Sequence, residues 1–202
     1  MIAAHLLSST SQILGWLIYL PLLCWAIWRA PWVELCSDLR RQHLLGGTAL
    51  ALFALWLVRR DFDSGLSYHF IGMTAVTLLL DWPLAMLVVI PVWVTEACAL
   101  WVEKKQPRNL FVYIFCSGFF AAALAALLCI TAAFTLLWID GLFPMPPWLE
   151  DFIGYLWLVI FPEAFINGML VTALVVFYPD WLETFNRTRY LAAPWKDDDL
   201  SR

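Results

Sequence analysis

The chain has 202 residues, of which 63% are hydrophobic and 14% charged, with a net charge of −4. A water-soluble domain is roughly half apolar and a quarter charged, so these side chains cannot coat a globule and the chain reads as an integral membrane protein. A disordered chain, a nucleic-acid binder built on a basic face and a cystine-stapled secreted scaffold are excluded on the same figures. The 13 Trp, 14 Phe and 6 Tyr suit a bundle whose amphipathic rings settle at the membrane interfaces.

Apolar runs long enough to span predict helices near 9–28, 43–58, 66–80, 82–101, 110–138 and 152–178. The expected fold class is therefore all-α, a polytopic transmembrane bundle of about six spans. No Lys or Arg precedes Arg29, so the basic leader of a signal peptide is lacking and the first span is expected to be retained. The segment 66–80 is short and opens with Gly65, Ser67 and His69, while the next carries Pro83 and Pro91. This pair reads as including a broken or re-entrant helix, buried in protein or lining a wet cavity, because lipid cannot satisfy free backbone groups. Asp81, before Trp82 and Pro83, reads as the N-cap of the helix that follows. In the fifth run Gly118, Ala122 and Ala126, and likewise Ser117, Ala121 and Ala125, recur every four residues and predict a smooth face for close helix packing. A polar, surface-lying tail is expected over 178–202, and the whole of 1–202 reads as one domain.

The basic residues conflict over orientation. Arg29, Arg40 and Arg41 follow the first span, which argues for an outward N-terminus, yet six simple spans would then export most of the remaining Lys and Arg. With both termini inside, the 12 basic residues divide nine in and three out. With one re-entrant segment and the N-terminus outside they divide ten in and two out. Both alternatives put the tail in the cytoplasm.

The five cysteines form no Cys-x-x-Cys pair, so neither a zinc knuckle nor a dithiol motif is encoded, and those within spans read as small apolar residues. No phosphate-binding Gly-x-x-x-x-Gly-Lys-Ser/Thr loop is present, so any energy from ATP must come from another subunit. His5, His43 and His69 lie near expected helix ends. Three imidazoles that converge would suit Ni, Co, Cu or Zn, whereas separate ones would be interfacial or core residues bonded to backbone, and spacing does not decide between these. Carboxylates within a span cost about 2.5–3.5 kcal/mol near its centre on insertion scales. Glu163, after Pro162 and one turn before Asn167, therefore reads either as lining an ion or substrate path or as an interhelical hydrogen-bonding group. Glu96, beside Thr95, reads as the latter.

Gly65-Leu66-Ser67-Tyr68-His69-Phe70-Ile71-Gly72-Met73, followed by Asp81-Trp82-Pro83, is similar to the Gly-x-Ser-x-His-Leu-Leu-Gly-Gly segment and Gly-Pro-Trp turn of the cobalt/nickel substrate-capture permeases of energy-coupling factor transporters, the CbiM and NikM group. Phe161-Pro162-Glu163-Ala164-Phe165-Ile166-Asn167-Gly168 resembles their last helix. In that family the metal is held by the N-terminal amine, by the backbone nitrogen and imidazole of a second-position histidine, and by the loop histidine. The resemblance carries the last of these onto His69. Position 2 is Ile2, so the family's chelate is not complete; His5 and His43 are the residues that could stand in.

The resemblance implies a non-enzymatic membrane subunit in the bacterial inner membrane that captures a divalent transition-metal ion. Ni or Co is expected, with Cu or Zn open, and the partners would be a coupling transmembrane subunit and ATPase subunits. The alternative is a non-transporting accessory subunit that keeps the fold within a larger membrane complex. A self-sufficient proton-coupled carrier using Glu163 and Glu96 ranks last.

Overall fold

The computed structural model describes residues 7–61, 67–86, 89–105, 109–141 and 147–190. The helix α1 (Ser9–Arg29) starts where the Ser8 hydroxyl accepts the Ser11 N–H at 3.2 Å. A short α2 (Trp32–Ser37) leads to Asp38, whose carboxylate accepts the Arg40 N–H at 2.8 Å and so opens α3 (Leu39–Leu57). Both are side-chain caps that satisfy amides otherwise left bare at a helix start. An antiparallel ribbon follows, β1 (Arg59–Asp61) with β2 (Ser67–His69), in the register Arg59 to His69, Arg60 to Tyr68 and Asp61 to Ser67. The remaining helices are α4 (Met73–Leu80), α5 (Val89–Lys105), α6 (Leu110–Tyr113), α7 (Ala121–Ile139), α8 (Pro147–Phe177) and α9 (Arg187–Tyr190). A π turn, Ile114–Phe120, joins α6 to α7 without a break.

The fold is a helical membrane bundle, but its spans differ in kind from six simple helices. Among the described residues three helical stretches are long and apolar enough to cross a bilayer unaided, Ser9–Arg29, Leu110–Ile139 and Leu156–Phe177. In α3 the first turns are polar, with Arg40, Arg41, Gln42 and His43, and α5 has only 17 residues. The segment expected as a helix over 66–80 is instead ribbon as far as His69 and helical only from Met73. At 1.5 Å per residue the eight residues of α4 rise about 12 Å, under half of the roughly 30 Å hydrocarbon core. Every residue of α4 is buried, packed among α3, α5, α7 and α8, so this broken span lies inside protein. The helix expected from residue 82 starts at Val89, after a turn at 82–86. Asp81 accordingly does not cap α5. It terminates α4 at φ +66°, donating its N–H to the Thr77 carbonyl at 3.0 Å while its carboxylate accepts from Trp82 N at 2.8 Å.

The small-residue face is buried, with Ser117, Ala121, Ala122, Ala125 and Ala126 each at 2% exposure or less. A Cβ added at Gly118 would stand 3.3 Å from Val171, and one at Gly168 would lie 2.2 Å from the Phe119 ring. The close approach of α8 to the π turn and α7 therefore depends on that face, which is spent within the chain.

The tail gathers one end of the bundle. Arg40 donates to the Asp180 carbonyl at 2.9 Å, Arg41 pairs with Glu183 at 3.1 Å, Tyr113 bonds Thr184 at 3.0 Å, and Arg189 reaches the Glu103 carbonyl. The starts of α3 and α6 and the ends of α5 and α8 thus share one face, which carries Arg29, Arg40, Arg41, Lys104, Lys105, Arg187 and Arg189. Because α3 and the α6–α7 helix both run away from the tail, the ribbon and the end of α7 lie at the opposite face, whose described basic residues are Arg59 and Arg60.

The start of α1 is pinned to that opposite face by Asp140. Its carboxylate accepts the Ser8 N–H at 2.9 Å and the hydroxyls of Ser8 and Ser11 at 2.9 and 2.8 Å. These bonds, the Ser8 backbone donor foremost and the Ser11 hydroxyl next, hold its pKa below the ordinary 3.8. A carboxylate whose folded-state pKa is lowered adds stability that is complete above 3.8 and disappears as the pH falls through the lower folded value. Limited proteolysis near Ser8 in detergent micelles should accelerate below that pH, and Asp140→Asn should remove the pH dependence. A wild-type rate unchanged on acidification would refute this role for the carboxylate.

Candidate metal-capture site

The loop between β2 and α4 carries the site. His69 ends β2 and is 9% exposed. Its Nδ1 lies 2.9 Å from the Phe70 carbonyl oxygen. A carbonyl can only accept, so Nδ1 carries the proton, an arrangement that in a neutral ring leaves the lone pair on Nε2. That is the tautomer a neutral histidine adopts when it ligates metal through Nε2, its other nitrogen being fixed by a carbonyl. The ring faces Trp56 of α3 at a centroid distance of 5.4 Å, and Trp56 Nε1 donates to the Ile71 carbonyl at 3.2 Å.

Beyond the histidine the chain turns at Gly72, with φ +67°. A Cβ there would come within 3.0 Å of Leu55 and 3.2 Å of Leu52. Both the left-handed backbone and the close approach of α3 call for glycine. The first amides of α4 have no partners of their own, and α8 supplies them. Glu163 Oε2 accepts the Ile71 N–H at 2.9 Å, and Oε1 accepts the Gly72 N–H at 2.8 Å. Asn167 Oδ1 accepts the Ala75 N–H at 3.1 Å, while Nδ2 donates to Glu163 Oε1 at 2.8 Å and to the Glu163 carbonyl at 2.9 Å. Glu163 and Asn167 are 2% and 1% exposed. A carboxylate against the positive end of a helix is favourable in itself, and here it also fixes the loop that bears His69.

The expected site residues therefore separate. Of the two readings of Glu163, its contacts are those of an interhelical hydrogen-bonding group, and Asn167 shares that task. Glu96 does not join them: it stands on α5 beside Thr95, whose hydroxyl donates to Thr74 at 3.2 Å, and Glu96 Oε2 is buried with no hydrogen-bond partner among the described residues. His43 is not brought to His69. It lies in the second turn of α3, 13 residues before Trp56, a rise of about 20 Å, and it opens toward the tail face beside Arg40 and Trp181. His5 lies outside the described residues. Among the described residues no group of three His, Cys, Asp or Glu could hold a metal ion, and all five cysteines are free.

Sequence reasoning did not reach Trp56, Leu52 or Leu55, which have no motif and enter only because α3 lies against the loop. Gly72 was within reach, as a glycine directly ahead of an apolar helix.

Glu163→Ala would leave two buried amides without an acceptor, at about 1–3 kcal/mol each. It should lower unfolding stability in mixed micelles by roughly 3 kcal/mol, whereas Glu163→Gln, which keeps one acceptor oxygen, should lose about half as much. Denaturant titration measures both, and a Glu163→Ala variant as stable as the parent would contradict the assigned contacts.

No curated protein and no solved structure matches the chain. The family model CbiM, cobalt uptake substrate-specific transmembrane region, matches residues 2–100, a stretch that holds the histidine loop but not Glu163 or Asn167. Over residues 2–100, from α1 past the histidine loop into α5, the chain is thus similar to the CbiM family of cobalt uptake substrate-specific transmembrane regions.

Proposed function

We propose that this protein is the substrate-capture subunit of an energy-coupling-factor-type transporter, taking up Co(II) or Ni(II) with His69 Nε2 as one ligand. The observation that carries the reading is the His69 imidazole, oriented by the Phe70 carbonyl in a loop that Glu163 and Asn167 hold in place. The other ligands are assigned to the residues before α1. Ser8 is tied to the same face of the bundle as the ribbon, and His5 precedes it by three residues in the sequence. His5 then takes the place of the chelate that Ile2 interrupts, in a nitrogen-rich set that suits Ni(II) and Co(II).

The basic face that holds the tail is assigned to the cytoplasm, where Lys and Arg accumulate, and the metal loop opens on the far side. No phosphate-binding loop is encoded, so release of the ion inward is assigned to a coupling membrane subunit with ATPases. The protein is accordingly assigned to a bacterial inner membrane, as a subunit that binds and hands on the ion.

A second reading, an accessory subunit that keeps the fold, draws on Ile2 and on the lack of a three-donor cluster among the described residues. Titration of the purified protein with Co(II), Ni(II), Cu(II) and Zn(II) separates the two. Saturable binding of Co(II) or Ni(II) is expected, lost in His69→Ala and weakened about 10- to 100-fold in Glu163→Gln, the range for groups that orient a ligand from behind. No saturable binding by any of the four ions, together with one stable partner other than an ATPase-linked subunit, would establish the accessory role instead.

A further inference from the structure

We propose that the cleft between α3, α4 and α8 binds an anionic phospholipid from the tail-face leaflet, its headgroup at Arg40 and His43 and an acyl chain along the cleft. Two hollows of about 630 and 310 Å³ run together there, sharing Thr48, Ala51, Leu79 and Leu174. Each is of ligand-site size, roughly 300–1,000 Å³. Their walls are almost wholly apolar as far as Gly72, deep in the bundle. A Cβ added at Gly47, on the α3 wall, would meet no atom within 4 Å, so the helix is thinned where no protein neighbour fills the space. A membrane leaves no void against such a wall, and the adjacent material is hydrocarbon.

Charge at the mouth selects the headgroup. Arg41 is paired with Glu34 and Glu183, and Arg187 with Asp180. Arg40 has no carboxylate partner among the described residues: its one side-chain bond, from Nη2, goes to the Asp180 carbonyl. His43 has no hydrogen bond among the described residues, so two imidazole nitrogens and the rest of a guanidinium fork are free at one rim. A guanidinium matches phosphate oxygens in geometry as well as charge. The rim is completed by Trp181, stacked on Tyr178 at 4.2 Å, rings of the kind that settle at headgroup level. Basic pockets between helices on the cytoplasmic side are where anionic headgroups bind. The inner end of the cleft reaches Gly72 of the His69 loop, but the headgroup site at Arg40 and His43 lies at the other end of α3 from Trp56, and its occupancy does not depend on the proposed transport role.

The test uses the full chain, purified in mild detergent and passed into nanodiscs of phosphatidylglycerol or phosphatidylcholine, with bound lipid read by native mass spectrometry after partial delipidation. The wild type should retain phosphatidylglycerol and lose phosphatidylcholine. Retention should fall about fivefold in Arg40→Ala, the factor one cation supplies at an anionic surface, and remain in Arg40→Lys. Gly47→Leu, which fills the cleft while leaving the mouth intact, should also reduce it. Equal retention of the two lipids, displacement by inorganic phosphate at the same concentration, a polypeptide occupying the cleft in the purified material, or unchanged retention in both Arg40→Ala and Gly47→Leu would each overturn the proposal.

Discussion

A helix that begins inside a membrane bundle exposes amides that neither water nor lipid can satisfy, and the architecture turns on how that deficit is met. Here one carboxylate and one carboxamide, Glu163 and Asn167, are placed one turn apart on α8 and reach across to the Ile71, Gly72 and Ala75 amides. Without them α4 could not start where it does, and residues 70–72 could not carry the chain from the ribbon into the bundle interior. The cost of a buried carboxylate is offset because it accepts three hydrogen bonds, one of them from Asn167 itself. The local arrangement is that of a side-chain cap, supplied by a different helix across more than 90 residues of chain.

This clamp links fold to function. The His69 imidazole lies two residues before the first clamped amide, and its ring is braced by Trp56, which also bonds the clamped loop. An imidazole can select a metal only if its lone pair is held in a fixed direction. The three supports of this loop come from α3, α8 and the loop's own carbonyl. Only the first and last lie within the stretch that the family model matches. The second half of the chain therefore braces the candidate site from outside the matched stretch.

Helical membrane character, the long α7 seam and the irregularity around residues 65–83 were all legible in the sequence, because apolar run length, small-residue spacing and Gly and Pro placement act locally. The polar pair Glu163 and Asn167 was legible as a notch, but not its purpose, since its partners are backbone amides that no residue code announces. His43 and His69 look alike in sequence. They part company only because α3 runs the length of the bundle and carries one histidine at the tail face while its far end packs near the other. Asp81 read as a start signal and proved to be a stop, because the same Asp-x-Pro pattern serves a left-handed helix end followed by a turn. Its side chain then accepts from the next residue's amide rather than from a new helix.

The π turn at Ile114–Phe120 sets a geometric condition on the long helix that contains it. Above it, Tyr113 meets Phe185 and Tyr190 of the tail at centroid distances of 5.0 and 5.3 Å; within it and below it, Gly118 and Ala121 face inward toward the seam with α8. Each residue of an α-helix turns the direction of the next by about 100°, and the wider turn absorbs one residue more than a regular helix would. The aromatic latch at one end and the alanine seam at the other are thereby brought onto compatible azimuths. Loss of one residue from this turn would leave every side chain chemically intact and force a choice between closing the latch and closing the seam.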